Sequence, residues 1–334
     1  MRDRVLISGA LAAVVGTFAL GALSLPDKSQ VIAFAAQLER PSARAGHSLV
    51  YHDKLEMVLL LNGQLADNRE SVGGGKVWGW DGSRWQIVSR DAPQPRSLGG
   101  VAYDKQRDIL VLFGGFTENG DCLSDTWDWD GQTWRQLDVA GPDVCDHLSM
   151  VYDSVRGKVV LFSGQNENLV LRSDTWEWDG QSWEKSSSTG PGGRSHFALD
   201  YDPVRQRVLM FGGFSGRDLS DFWGWDGAAW QRIEASGPSA RSGVRMAFDS
   251  SDRVSVLFGG AQGRVALNDL WIWDGAQWAQ KSTASAPPAR CYHAMAYDPL
   301  REKLILFGGA IQGGNVPIGD TWEWDDETWT EVNR

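Results

Sequence analysis

Tryptophan spacing restricts this fold more than any other feature. The chain has 334 residues and 18 tryptophans, which fall into six groups of three. The groups are "GKVWGWDGSRW" (75–85), "SDTWDWDGQTW" (124–134), "SDTWEWDGQSW" (173–183), "SDFWGWDGAAW" (220–230), "NDLWIWDGAQW" (268–278) and "GDTWEWDDETW" (319–329). Their leading members are Trp78, Trp127, Trp176, Trp223, Trp271 and Trp322, separated by 49, 49, 47, 48 and 51 residues. No tryptophan is left over as an isolated functional residue. A near-constant period of this length marks a repeat architecture.

Two more signals share the period. An apolar run ends in glycine in each copy, as in "VLFGG" (111–115) and "LILFGG" (304–309). Earlier in the copy comes Pro-x-x-Arg and a short strand-like run ending near Tyr-Asp, as in "PPARCYHAMAYD" (287–298). These pieces predict four short strands per repeat, here A to D. Strand A is the run ending at Tyr-Asp, and strand B ends at the glycines. Strand C carries Trp-x-Trp, whose two rings share a face because strands have period two. Asp-Gly then closes a tight hairpin in five copies, with Asp325-Asp326 in the sixth. Strand D opens on the third Trp. No stretch of the repeats keeps a helical apolar period. A lone four-stranded sheet cannot bury its tryptophans; six packed face to face around an axis can, and a closed ring protects their edges.

The strand ending in a glycine doublet, the later aromatic residue and the Trp beyond it together resemble the kelch motif. The resemblance covers roughly residues 41–334 and recurs six times. It implies an all-β, six-bladed kelch-type β-propeller with four antiparallel strands per blade. The blades are expected at about 41–92, 93–140, 141–189, 190–236, 237–285 and 286–334. The "WDGxxW" variant is similar to bacterial kelch-type and galactose-oxidase-like propellers. Asn62-Gly63 and Ser163-Gly164 depart from the glycine doublet. In this reading the tryptophans pack blade against blade and are not a ligand platform. All six repeats hold their own four strands, so no terminal strand needs to be exchanged.

The N-terminus differs. Arg2 and Arg4 precede an uncharged apolar run over residues 5–25, long enough to cross a bilayer. Residues 1–36 are expected to be a signal peptide, with Ala33-Phe34-Ala35 offering a small-x-small cleavage site, or an N-terminal membrane anchor. Residues 37–40 are a spacer. Either reading places the propeller outside the cytoplasm: secreted, periplasmic or at the cell surface, touching membrane only through this segment if uncleaved. A net charge of −11 argues against a nucleic-acid partner. Cys122 falls in the B–C loop of blade 2 and Cys145 in the link to blade 3, at the same end of the ring. Export permits a disulfide between them, though the sequence leaves the pairing open. Cys291 is the odd thiol.

Function is expected at the end of the ring that carries the B–C loops and the blade-to-blade links, because those loops vary in length and content. His47 and His293 share one repeat position, and His147 and His196 lie one residue nearer their prolines. Strand A is innermost in a kelch blade, so all four border the axial opening, where histidine can act as acid, base or ligand. The resemblance gives His47 and His293 an alternative role as hydrogen-bonding links within a blade. No spacing makes a metal motif, and "DWDG" (128–131) lacks the alternating oxygens of a calcium loop. Neither metal nor cofactor is expected. The repeated Arg44, Arg96, Arg194, Arg241 and Arg290 suggest blade-to-blade bonding. Two residues on, the symmetry breaks: Gly46, Leu98, His147, His196, Gly243 and Tyr292. In kelch domains that bind partners, comparable positions line the pocket. A pocket here is expected to use His147, His196, Tyr292 and Arg245. The preferred function is a monomeric binding module for a protein, peptide or glycan. The alternative is an extracytoplasmic carbohydrate-active enzyme, a galactose-oxidase-like oxidase or a sugar epimerase, working at the axial mouth.

Overall fold

A computed structural model describes residues 40–65, 75–187, 189–311, 314 and 316–332. The expected signal or anchor lies outside the described residues, as does most of the first B–C loop. Six antiparallel sheets follow one another along residues 40–334, each with its strands in chain order. The A strands are Ser48–His52, Gly100–Asp104, Ser149–Asp153, Ala198–Asp202, Arg245–Asp249 and Ala294–Asp298. The B strands are Met57–Leu61, Ile109–Phe116, Lys158–Gln165, Arg207–Phe211, Val254–Phe258 and Lys303–Phe307. The C strands are Val77–Trp80, Cys122–Trp129, Leu171–Trp178, Phe222–Trp225, Leu270–Trp273 and Thr321–Trp324. The D strands are Trp85–Ser89, Trp134–Leu137, Trp183–Ser187, Trp230–Arg232, Trp278–Lys281 and Trp329–Val332. Each A strand lies beside the A strands of both neighbouring blades, blade 6 against blade 1 included. The A strands therefore surround the axis of a six-bladed propeller, closed without strand exchange. Among the described residues there is no α-helix, and none long and apolar enough to cross a membrane.

The apolar core is divided among the six interfaces. Each cluster of buried side chains straddles two adjacent blades. Between blades 2 and 3, Val111 and Phe113 meet Leu161, Trp178 and Trp183. Between blades 6 and 1, Ile305 and Phe307 meet Trp80 and Trp85.

The three tryptophans of a triplet have different partners. In three blades the third donates its indole N–H to a threonine of the preceding blade: Trp85 to Thr321 (2.8 Å), Trp183 to Thr126 (3.0 Å) and Trp230 to Thr175 (2.8 Å). In two blades the second also looks back, Trp80 to Glu323 (3.3 Å) and Trp225 to Glu177 (3.2 Å). The first serves its own blade. Trp127, Trp223, Trp271 and Trp322 donate to the aspartate two residues earlier, at 2.6–2.7 Å.

That aspartate explains the repeated arginine and divides its role: the guanidinium works within one blade, and the bond between blades comes from the backbone. Arg96, Arg194, Arg241 and Arg290 each make a two-pronged bond to the strand-C aspartate of their own blade: Asp125, Asp221, Asp269 and Asp320. Each also donates to the carbonyl of the first glycine of its own doublet, at 2.9–3.0 Å. The guanidinium thus spans strands B and C of one blade. The arginine's backbone reaches another blade through both its groups. Its carbonyl takes the second glycine's N–H from the blade before, as Gly213 to Arg241 and Gly260 to Arg290 at 2.9 Å, and its N–H donates to that blade's loop, as Arg241 to Leu219 (2.9 Å) and Arg290 to Leu267 (3.0 Å). A Cβ at Gly212 would come within 2.8 Å of the Arg241 carbonyl, and Gly212 has φ +66°, so both approach and backbone favour glycine. Asn62 and Ser163 adopt the same left-handed conformation, with φ 65° and 58°. The Ser163 hydroxyl has the Arg172 and Arg194 carbonyls within reach as acceptors (2.6 and 2.7 Å) and accepts the Arg194 N–H (3.1 Å), which keeps that join made.

The hairpins run as the triplets imply. Trp80 pairs with Trp85, so the turn holds the four residues between the second and third tryptophans. The leading aspartate closes it: Asp81 Oδ1 accepts the N–H groups of Ser83 (2.8 Å) and Arg84 (2.9 Å). Asp130, Asp179, Asp226, Asp274 and Asp325 repeat the arrangement. A side chain that caps its own turn is stronger local instruction than glycine alone.

Candidate functional site

The mouth on the B–C loop side is built from one backbone device used six times. Two residues after the arginine position, Gly46, Leu98, His147, His196, Gly243 and Tyr292 all adopt φ between 56° and 66°. Neighbouring blades are stitched together there: Leu98 N–H donates to Gly46 O (2.9 Å), Gly46 to Tyr292 (2.9 Å), Tyr292 to Gly243 (2.8 Å) and Gly243 to His196 (2.7 Å). A left-handed backbone costs a non-glycine residue about 1–2 kcal/mol. Glycine would suit the scaffold at every position, yet only two of the six are glycine. The other side chains are held at the rim against that cost.

Three of them converge. The rings of His147 and His196 meet edge to face with centroids 4.2 Å apart, and Tyr292 meets His196 at 4.9 Å. Asp146 Oδ2 lies 2.9 Å from His147 Nδ1, and Ser195 Oγ lies 3.1 Å from His196 Nδ1. The His196 imidazole is thus hydrogen-bonded through Nδ1, and the His147 imidazole has a carboxylate beside its own Nδ1. Burial first, then the charges of His147 and Arg245, hold the His196 pKa well below 6.5. Burial pushes the Tyr292 phenol up.

Below the rim the A strands enclose an axial cavity of about 440 Å³. Arg245 enters it, and burial lowers its pKa to about 10. The far end is framed by Tyr51, Tyr103, Tyr152, Tyr201 and Tyr297, with Phe248 completing the ring. These phenols bond near the A–B turns, as Tyr297 Oη to Ser251 Oγ (2.8 Å) and Tyr103 Oη to Asp108 (2.6 Å). His47 and His293, in contrast, are buried in the interfaces behind the rim. His47 Nε2 lies 3.0 Å from the Phe307 carbonyl of blade 6. It therefore links two blades, where a bond within one blade was expected, because the side chain at this position points into the interface. Among the described residues no group of three His, Cys, Asp or Glu is placed to hold a metal ion.

The loops above the rim carry exposed apolar side chains on four consecutive blades: Leu169 and Val170, Phe214, Val265 and Val316. The loops of blades 4 and 5 are joined by the Gly263 N–H, which donates to Asp218 (2.6 Å). A disulfide joins Cys122 to Cys145, with Cα atoms 5.4 Å apart. It ties the blade 2 loop to the segment leading into His147, at the one position where cysteine replaces the clamp arginine.

Sequence reasoning missed Asp146. Its repeat equivalents are Ala45, Ser97, Ser195, Ser242 and Cys291, so the same search for broken symmetry would have found it. It also missed Asp200, which lines the cavity where other blades have Val50, Ala102, Val151, Ala247 and Ala296.

A profile of the KLHDC2/KLHL20/DRC7 Kelch-repeats domain matches residues 155–334, more than half of the chain. The solved structure of YjhT is similar over 89% of this chain and 100% of that one, with a TM-score of 0.69 at 15% sequence identity. That likeness concerns the fold alone. No curated protein matches the chain.

Proposed function

This chain belongs to the kelch-repeat family, and we propose that it is an exported binding module that takes a protein, peptide or glycan on its loop face. One observation carries the reading: the six-fold scaffold breaks its symmetry at this end, where exposed apolar loops surround a rim of His147, His196 and Tyr292. Exposed apolar residues grouped around a pocket are a usual mark of an interaction site. The Cys122–Cys145 disulfide and the apolar N-terminal segment support export, since such bonds persist in oxidising compartments. Cell fractionation with N-terminal sequencing tests that part; cytoplasmic protein retaining Met1 and free thiols would overturn it.

Binding is tested by selecting ligands from a displayed peptide library and a glycan array, then re-testing them on variants. Ligands should be lost on Phe214→Asp and on His196→Ala, with folding nearly intact. They should survive Leu300→Asp, which alters an exposed apolar side chain at an A–B turn, at the opposite end. Ligands that ignore the first two changes and are lost on the third would place the working face at the other end.

The Asp146–His147 contact favours a second reading, an extracytoplasmic carbohydrate-active enzyme. A carboxylate at Nδ1 prepares the imidazole to act as a base through Nε2. Turnover of aldoses followed by NMR, abolished by His147→Gln, would support epimerase chemistry. The Tyr–Cys pairing of galactose oxidase has no counterpart at Cys291 and Tyr292. The Cys291 thiol faces the Ala310 carbonyl while the Tyr292 ring packs on His196.

A further inference from the structure

The six interfaces are not fastened equally. Two side-chain devices cross from blade to blade. One is an indole N–H bonded to the strand-C threonine of the blade before. The other is an A–B turn arginine laid over the hairpin glycine of the blade after. Blades 6 and 1 have both, in Trp85 with Thr321 (2.8 Å) and Arg301 over Gly82. So do blades 2 and 3, in Trp183 with Thr126 (3.0 Å) and Arg107 over Gly180. Blades 3 and 4 repeat them in Trp230 with Thr175 (2.8 Å) and Arg156 over Gly227. Blades 4 and 5 keep the second alone, Arg205 over Gly275.

Two interfaces have neither. Between blades 1 and 2 the threonine position holds Val77 and the arginine position Leu55. The indole nitrogens of Trp129 and Trp134 are buried there without an acceptor among the described residues. A Cβ on Gly131 would have nothing within 4 Å. The ion pairs across this interface, Lys54 with Asp108 (2.9 Å) and Lys105 with Asp53 (2.6 Å), use exposed lysines, and such pairs stabilise little. Between blades 5 and 6 the two positions hold Leu270 and Asp252. Trp324 and Trp329 are left as Trp129 and Trp134 are. Asp326 replaces the glycine, so acids face each other across the join. The bond from Tyr297 to Ser251 (2.8 Å) remains.

Both weak interfaces border the same pair of blades. We propose that blades 6 and 1 form one unit that moves against an arc of blades 2 to 5, the unloaded ring opening at these two interfaces and not where blade 6 meets blade 1. The two blades farthest apart in the chain are thus the ones that stay together. The arc is held further by the Cys122–Cys145 disulfide between blades 2 and 3. The inference is independent of what the loop face binds. Its consequence there is mechanical: Tyr292 travels with the pair, while His147 and His196 stay on the arc.

The test is amide hydrogen exchange, followed by NMR on the whole folded protein. Backbone bonds between blades supply the reporters. Gly63 and Leu98 donate across blades 1 and 2, and Gly260 and Tyr292 across blades 5 and 6. Gly309 and Gly46 donate across blades 6 and 1, Gly213 and Gly243 across blades 4 and 5, and Gly115 across blades 2 and 3. Such N–H groups exchange when their own interface parts. The first two sets should exchange on the order of tenfold to a hundredfold faster than the rest, and with equal protection. Val77→Thr combined with Leu55→Arg supplies both missing groups to blade 1. It should slow Gly63 and Leu98 about tenfold. Gly260 and Tyr292 should slow with them, because the pair leaves only when both interfaces part. Conversely, Thr321→Val removes the acceptor of Trp85 and should speed Gly309 and Gly46. Uniform protection across these interfaces, or fastest exchange at Gly309 and Gly46 in the wild type, would overturn the proposal. Slowing at Gly63 and Leu98 that leaves Gly260 and Tyr292 unchanged would overturn the joint motion.

Discussion

Blade 1 lacks one half of the clamp that four other blades possess. Arg44 is as buried as its counterparts, but the strand-C aspartate is replaced by Lys76. Its guanidinium makes do with the Asn62 carbonyl (3.1 Å) and the carbonyl and hydroxyl of Ser42 (3.0 and 3.4 Å). Burial holds its pKa down at about 10 where 12.5 is ordinary, equivalent to roughly 3 kcal/mol of uncompensated desolvation. A carboxylate at position 76 would recover part of this. A hydrogen bond to a charged group contributes about 1.5–3 kcal/mol, and the new aspartate loses some hydration of its own. Lys76→Asp should therefore stabilise the propeller by about 1–2 kcal/mol, seen as a rise of about 2–4 °C in Tm. Calorimetry at neutral pH reads it directly, with Arg44→Met as the companion. In the Arg44→Met background the gain should vanish, because the added carboxylate then has no cation. A lowered Tm for Lys76→Asp alone, or the same gain without Arg44, would refute the reasoning.

Other expectations follow from the interfaces. Trp178→Ala, in the cluster shared by blades 2 and 3, should cost about 3–5 kcal/mol; an unchanged melting temperature would sink the packing role. Asp200 is a buried acid with its pKa raised to about 7, so the folded state keeps a proton that the unfolded chain has lost. Its penalty is absent below about pH 4, grows as pH rises to about 7, and is constant above. Asp200→Asn should thus stabilise strongly at pH 8, by at most about 4 kcal/mol, and little at pH 4; equal gains at both would contradict the assignment. At the end carrying the A–B turns, arginines such as Arg205 and Arg301 cover the hairpin glycines Gly275 and Gly82 of the next blade. Between blades 5 and 6 both partners are changed, to Asp252 and Asp326, and burial with a bond to Asp249 raises the Asp326 pKa to about 7. Joint replacement by Asp252→Arg and Asp326→Gly should raise Tm above pH 7 more than the sum of the single changes, as thermal melts would show.

The repeat, the strand content and the ring were legible because the tryptophans recur in phase and a lone four-stranded sheet could not cover them. The clamp was only half legible. Arg96 and Asp125 lie 29 residues apart, and nothing local says that their side chains meet within one blade. In the hairpins the glycine was legible and the aspartate's part was not: Asp81 reaches past Gly82 to two further N–H groups. At the mouth, broken symmetry identified His147, His196 and Tyr292. It did not separate them from His47 and His293, because one residue of displacement along strand A turns a side chain from the rim into the interface.

The seam between blades 6 and 1 is made like the others, from tryptophans and backbone bonds such as Gly309 to the Arg44 carbonyl, and it shares the Trp–Thr bond with two of them. Among the described residues no strand crosses it. Topologically, the ring has no privileged starting point: a circularly permuted chain, opened at any link and joined across the seam by a suitable linker, would retain every interface. Under mechanical tension on its ends, the same ring would peel one blade at a time from that seam, because no exchanged strand holds it shut.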